Sequence, residues 1–161
     1  TPTPSTPTPT PQPTPPPEPD IIVDDTGKAF FSEGEQWDQL SGECAYGGQA
    51  RTTKTINKSE VATHQAVWRP SVRGGTYDVY AFIPPCPANG PLTVAAQYIV
   101  HHAQGDSFVT INQRTTFGTW ALLGRYSFAP GGDGYVQLRN TDPFGNYVMV
   151  FDALKLVAAT P

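Results

Sequence analysis

Between Gly74 and Pro84 the chain reads Gly-Gly-Thr-Tyr-Asp-Val-Tyr-Ala-Phe-Ile-Pro, an alternation that admits few structures. In an extended chain successive side chains point to opposite faces. Tyr77, Val79, Ala81 and Ile83 therefore share one side, and Asp78, Tyr80 and Phe82 the other. Tyr, Val, Phe and Ile suit a pleated, half-buried surface. Gly74-Gly75 supplies the turn that leads in, and Pro84-Pro85 ends the run by withdrawing two backbone donors. The pattern predicts a central strand whose partners are the other apolar runs.

Those runs follow in order. Ile21-Ile22-Val23 opens the series, and Phe30 and Phe31 anchor the next segment. Strand character returns over 61–68, 92–101, 107–112, 120–129, 135–139 and 147–157, between turns rich in Gly, Pro, Asn and Asp. Residues 41–57 are Gly, Thr and small side chains, which read as a long loop with one weak strand at most. No stretch keeps a helical period over three turns. Eight or nine strands joined this way predict an all-β fold, an antiparallel β-sandwich of jelly-roll type. Trp68 and Trp120, embedded in the strand pattern, are expected in its core.

Residues 1–19 cannot contribute to that core. They hold ten of the eighteen prolines and six threonines, with no aliphatic or aromatic side chain. Proline fixes φ and pushes the preceding residue toward extension, so the segment reads as a polyproline-II rod of about 60 Å. Its threonines, Thr1, Thr3, Thr6, Thr8, Thr10 and Thr14, are candidate O-glycosylation sites, and Asn57 in Asn-Lys-Ser is an N-glycosylation triplet. The domain division is thus 1–19, an extended segment, and 20–161, one globular domain of ordinary size. The chain lacks an initiator methionine and a signal peptide, which suits a processed chain or a fragment.

A net charge of −4 gives no footprint for nucleic acid or an anionic membrane. No apolar run reaches the length of a membrane span. Two cysteines, Cys44 and Cys86, lie in loop-like contexts and are expected to form a disulfide, which fits the extracellular setting that the Thr-Pro segment suggests.

In order, the chain carries Trp68-Arg69-Pro70, Gly75-Thr76-Tyr77-Asp78-Val79-Tyr80, and Tyr98-Ile99-Val100-His101-His102-Ala103. It continues with Val109-Thr110-Ile111-Asn112-Gln113, Gly118-Thr119-Trp120-Ala121-Leu122-Leu123-Gly124 and Phe151-Asp152-Ala153-Leu154. With the Ile-Val-Asp-Asp near its start, this resembles the golvesin C-terminal-like domain, also seen as the carbohydrate-binding-like end domain of xanthan lyase. The resemblance covers essentially residues 20–158. It implies a non-catalytic β-sandwich appended to secreted proteins, and it supplies no binding residues.

Catalysis finds little support in the residues themselves. His101 and His102 are adjacent on a strand and diverge to opposite faces, and His101 is expected to bond the turn at Gly105-Asp106. No serine stands in a nucleophile elbow. No cofactor is expected beyond a structural calcium, for which Asp24, Asp25 and Asp152 are weak candidates. Asp152 lies in an apolar strand, where a buried carboxylate needs a partner; it meets Asp24 or Asp25 if the first and last strands are neighbours. Sugars stack on aromatic rings, which makes Trp37, Tyr46, Tyr135 and Tyr147, in loop or turn surroundings, the candidate glycan contacts.

Two functions follow, both extracellular and neither enzymatic. The first is a structural subunit of a surface filament, its Pro-rich segment held by a neighbouring copy, since extended segments dock on sheet edges and aromatic grooves. The alternative is a carbohydrate-binding module tethered by a glycosylated linker to a larger secreted protein. The expected partners are further copies of the chain, other modules of the same protein, or a polysaccharide.

Overall fold

The computed structural model describes residues 17–160. Residues 1–16 lie outside the described residues, and with them most of the expected polyproline rod and all six threonine glycosylation candidates.

Fourteen strands form the described chain: β1 (Ile21–Val23), β2 (Phe30–Glu33), β3 (Asp38–Ser41), β4 (Gln49–Lys54), β5 (Ile56–Asn57), β6 (Gln65–Trp68) and β7 (Gly75–Ile83). They continue with β8 (Ala96–His102), β9 (Gly105–Ile111), β10 (Thr119–Phe128), β11 (Tyr135–Arg139), β12 (Thr141–Asp142), β13 (Val148–Phe151) and β14 (Leu154–Ala158). A four-stranded sheet, β1-β14-β7-β10, faces a five-stranded sheet, β2-β6-β11-β8-β9. Every pairing within these two sheets is antiparallel. The expected antiparallel sandwich is the fold, completed by a small sheet β13-β4-β3 and a parallel pair β12-β5. Among the described residues no helix is long and apolar enough to cross a membrane.

β7 is the central strand that its alternation predicts. Tyr77, Val79, Ala81 and Ile83 are buried, and the first three join Trp68, Tyr98, Val100, Leu138, Phe151 and Leu154 in the core between the sheets. A second, smaller cluster gathers Ala45, Ala50, Cys86 and Val150. Cys44 and Cys86 are disulfide-bonded beside it, with their Cα atoms 5.3 Å apart.

Three expectations change. Residues 41–57 are not a long loop: β4 pairs with both β3 and β13, and its buried side chains are Ala50, Thr52 and Thr53. Threonine is β-branched and fits a covered strand as readily as an apolar residue does, so an apolar-only reading passes over it. The run 147–157 is two strands, because the chain leaves the small sheet after Phe151 and enters the four-stranded sheet at Leu154. Asp152 sits in that break. Finally, Trp120 is not a core residue: it lies opposite Phe82 in the β7–β10 register, on the face turned away from Ala81 and Ile83.

Candidate functional site

The outer face of the four-stranded sheet carries an unusual concentration of rings. Tyr80 and Phe82 project from β7 on the side opposite the core, as the alternation requires. Cross-strand register sets Trp120 beside Phe82, with Leu122 and Lys155 on either side of Tyr80. A bulge between Leu122 and Gly124 lets Leu123 turn inward while Leu122 stays 54% exposed.

Tyr46 completes the group from outside the sheet. Its ring lies 5.5 Å from that of Trp120 and 6.1 Å from that of Phe82, and Phe82 and Trp120 are 5.2 Å apart. The Lys155 ammonium sits over two rings, 4.6 Å from the Trp120 centroid and 5.2 Å from that of Tyr80. The result is a half-exposed aromatic surface with one cation on it. Arg125 lies further along the same strands and is neutralised by a two-pronged bond to Asp78 at 2.7 and 2.8 Å.

Directly behind Tyr46 is a group of carboxylates. β1 pairs with β14, Val23 opposite Leu154, so the residues just after one strand and just before the other converge. Asp24, Asp25 and Asp152 present ligand oxygens that all lie within 4.8 Å of one another. Asp25 and Asp152 are each 2% exposed. Tyr46 donates its backbone N–H to Asp152 Oδ2 at 3.1 Å, Gln49 Nε2 donates to Asp25 Oδ2 at 3.5 Å, and the Thr26 hydroxyl donates to Asp24. Arg51 Nε lies 3.5 Å from Asp25 Oδ2. Burial, reinforced by repulsion from the neighbouring carboxylates, pushes Asp25 up to about 6 and Asp152 up to about 8.

The other aromatic candidates lie elsewhere. Trp37 packs edge-on against Phe151 and His64, and Tyr135 stacks on His101 beneath the Arg69 guanidinium. Tyr147 contacts Phe144, with Arg114 over its ring. Of the four, Tyr46 is the one that meets Trp120 and Phe82. The sequence reading missed Tyr80, Phe82, Trp120 and Lys155 as a surface. The available signal was the β7 alternation, which sets two aromatics two residues apart on the face away from the core.

The histidines are engaged locally. His101 Nδ1 lies 2.5 Å from Asp106 Oδ1, His64 Nε2 lies 2.6 Å from the Glu35 carbonyl, and His102 Nε2 lies 2.9 Å from Ser107 Oγ. Asn57 accepts bonds from Ser59 through Oδ1 and donates Nδ2 to the Pro143 carbonyl.

The opposite face of the sandwich offers a weaker surface. Phe31, Val67, Gln137, Ile99 and Phe108 form one row across all five strands. Phe31 and Phe108, both exposed, stand at its two ends. The neighbouring polar groups already bond each other: Gln137 donates to Gln65, and Gln65 donates to Glu33.

Two antiparallel sheets over one core place the chain in the class of antiparallel β-sandwich domains. Within that class it belongs to the golvesin C-terminal domain family, which it matches over residues 21–158. It is 32% identical over 143 residues to a xanthan lyase of Bacillus sp. (strain GL1), covering 86% of this chain and 14% of the lyase. The solved Paenibacillus xanthan lyase matches with a TM-score of 0.74 and 27% identity, over 88% of this chain and 13% of that enzyme. The chain thus spans about one seventh of the lyases it matches. A family 35 carbohydrate-binding module from Clostridium thermocellum shares the fold, with a TM-score of 0.54 and 13% identity over 85% of this chain and 98% of the module.

Proposed function

We propose that residues 20–161 form a non-catalytic carbohydrate-binding module of a secreted protein, joined to its other parts by the Thr/Pro-rich residues 1–19. The observation that carries this reading is the half-exposed cluster of Tyr46, Tyr80, Phe82 and Trp120 on one sheet face. Pyranose rings present apolar C–H faces that stack on such side chains, and Lys155 adds a charge that favours a sugar bearing a carboxylate. The opposite face is the poorer candidate, because its amides would have to exchange bonds with each other for bonds to sugar hydroxyls.

Catalysis is not part of this reading, since each of the three histidines is engaged by a local partner and two of the three clustered carboxylates, Asp25 and Asp152, are buried. The relatives also reorder the two expectations from sequence. One match is a domain-sized segment of a polysaccharide-active enzyme and another shares its fold with a sugar-binding module, while neither points to filament assembly. Xanthan, from which the related lyase takes its name, is the first glycan to test. Affinity electrophoresis of the full chain through gels containing xanthan, other acidic polysaccharides or neutral ones should show retardation by an acidic polymer. Trp120→Ala should weaken it at least tenfold, and Phe31→Ala should not. Free migration in every gel would refute the reading.

A further inference from the structure

We propose that Asp24, Asp25 and Asp152 bind one calcium ion, and that this ion fixes the turn at Tyr46–Gly48 and so sets the position of the Tyr46 ring on the aromatic face. The trio's geometry suits a single hard cation. Two oxygens bound to the same calcium at about 2.4 Å are at most about 4.8 Å apart, and the three carboxylates keep within that limit. Each carboxylate also keeps one oxygen without a partner: Oδ1 of Asp24, of Asp25 and of Asp152 are all buried and accept no hydrogen bond. Buried acceptors in folded proteins are satisfied as a rule, and three orphans from three residues facing one another mark a place where something else supplies the contact.

Charge leads to the same conclusion. Among the described residues the cation within ion-pair distance of the trio is Arg51, which leaves two of three negative charges uncompensated. A divalent ion held between the three carboxylates offsets their mutual repulsion. The donor set is oxygen alone, with no histidine or cysteine, which suits calcium and disfavours zinc or copper.

The link to Tyr46 is direct. Asp152 Oδ2 accepts the Tyr46 N–H, and the next residue, Gly47, has φ +63 and lies so close that a Cβ there would fall 2.5 Å from Asp24 Oδ2. The turn is closed by Gly42 N–H donating to the Gly48 carbonyl at 2.9 Å, with Cys44 anchored by the disulfide. A rearrangement of the carboxylates therefore moves a short, closed turn whose aromatic side chain rests on Trp120 and Phe82.

The part concerning the aromatic face rests on the proposed sugar-binding role; the calcium site does not. The test uses the full chain stripped with a chelator and then titrated with calcium. Isothermal titration should give one saturable site, the melting temperature should rise by roughly 5 °C, and magnesium should bind more weakly. Asp152→Asn and the milder Asp24→Asn should each weaken uptake at least tenfold while far-UV circular dichroism stays that of a folded sandwich. Tryptophan emission should shift on calcium binding, and the shift should vanish in Trp120→Phe. No saturable uptake with unchanged melting overturns the site. Uptake with no Trp120-dependent spectral change overturns the coupling. A full calcium response in a protein that binds no glycan would count against the sugar-binding reading alone.

Discussion

Removing the Cys44–Cys86 bridge perturbs both the fold and the turn that carries Tyr46. The two cysteines are 42 positions apart, and cross-linking a loop of that length removes roughly 13 cal/mol/K from the unfolded chain, about 4 kcal/mol at 25 °C. Cys86 is buried in the small cluster with Ala45, Ala50 and Val150, so its replacement by alanine leaves a void that costs roughly 1 kcal/mol more. The double variant Cys44→Ala/Cys86→Ala should therefore lose about 5 kcal/mol in urea, equivalent to roughly 10–20 °C in melting temperature. Its m-value should increase, because the unfolded chain is no longer held compact. Wild-type protein unfolded in a reducing agent should reproduce most of the loss. A double variant within about 1 kcal/mol of wild type, or a wild type indifferent to reductant, would refute the reasoning.

In a chelator, stability should fall as pH rises from about 4 to 8. Asp25 and Asp152 bind protons more tightly folded than unfolded, from a shared starting value of 3.8 up to about 6 and about 8, so the folded state holds more protons across that window and loses its advantage as they leave. The drop should be on the order of a few kcal/mol in chemical unfolding, and a flat or rising profile would contradict it. Gln113 is fully buried, donating to Tyr98 Oη at 3.2 Å and to the Val150 carbonyl at 2.9 Å while accepting from the Val150 N–H at 2.9 Å. Gln113→Ala strands those groups without water and should cost about 3 kcal/mol in urea unfolding; a loss below about 1 kcal/mol would show that they find other partners.

The sandwich was legible because strict alternation appears where one face of a strand is buried, as in β7. Where both faces are covered the signal fades: β13 is buried at Val148, Met149, Val150 and Phe151, so its run merged with β14 and hid the change of sheet. β4 escaped notice because its inward residues are alanine and threonine. At the site, the meeting of Asp152 with Asp24 and Asp25 depends on first and last strands being neighbours, a condition the sequence could state but not decide. The aromatic face was harder still. Its rings come from two strands and a distant turn, brought together by cross-strand register, and Trp120 sits in a strand that also sends Leu123 and Phe128 into the core.

The central claim, that sugar binds on the Tyr46–Phe82–Trp120 face, is tested most directly by an NMR titration following the backbone amide signals together with the indole N–H signals of the three tryptophans. With an acidic oligosaccharide the Trp120 signal should move in a saturable way. The Trp68 signal should hold still, since that indole is buried and donates to the Asp152 carbonyl at 2.8 Å. A titration that leaves Trp120 unmoved while shifting Phe31, Gln137 and Phe108 on the opposite sheet would put the sugar on the wrong face and contradict the claim.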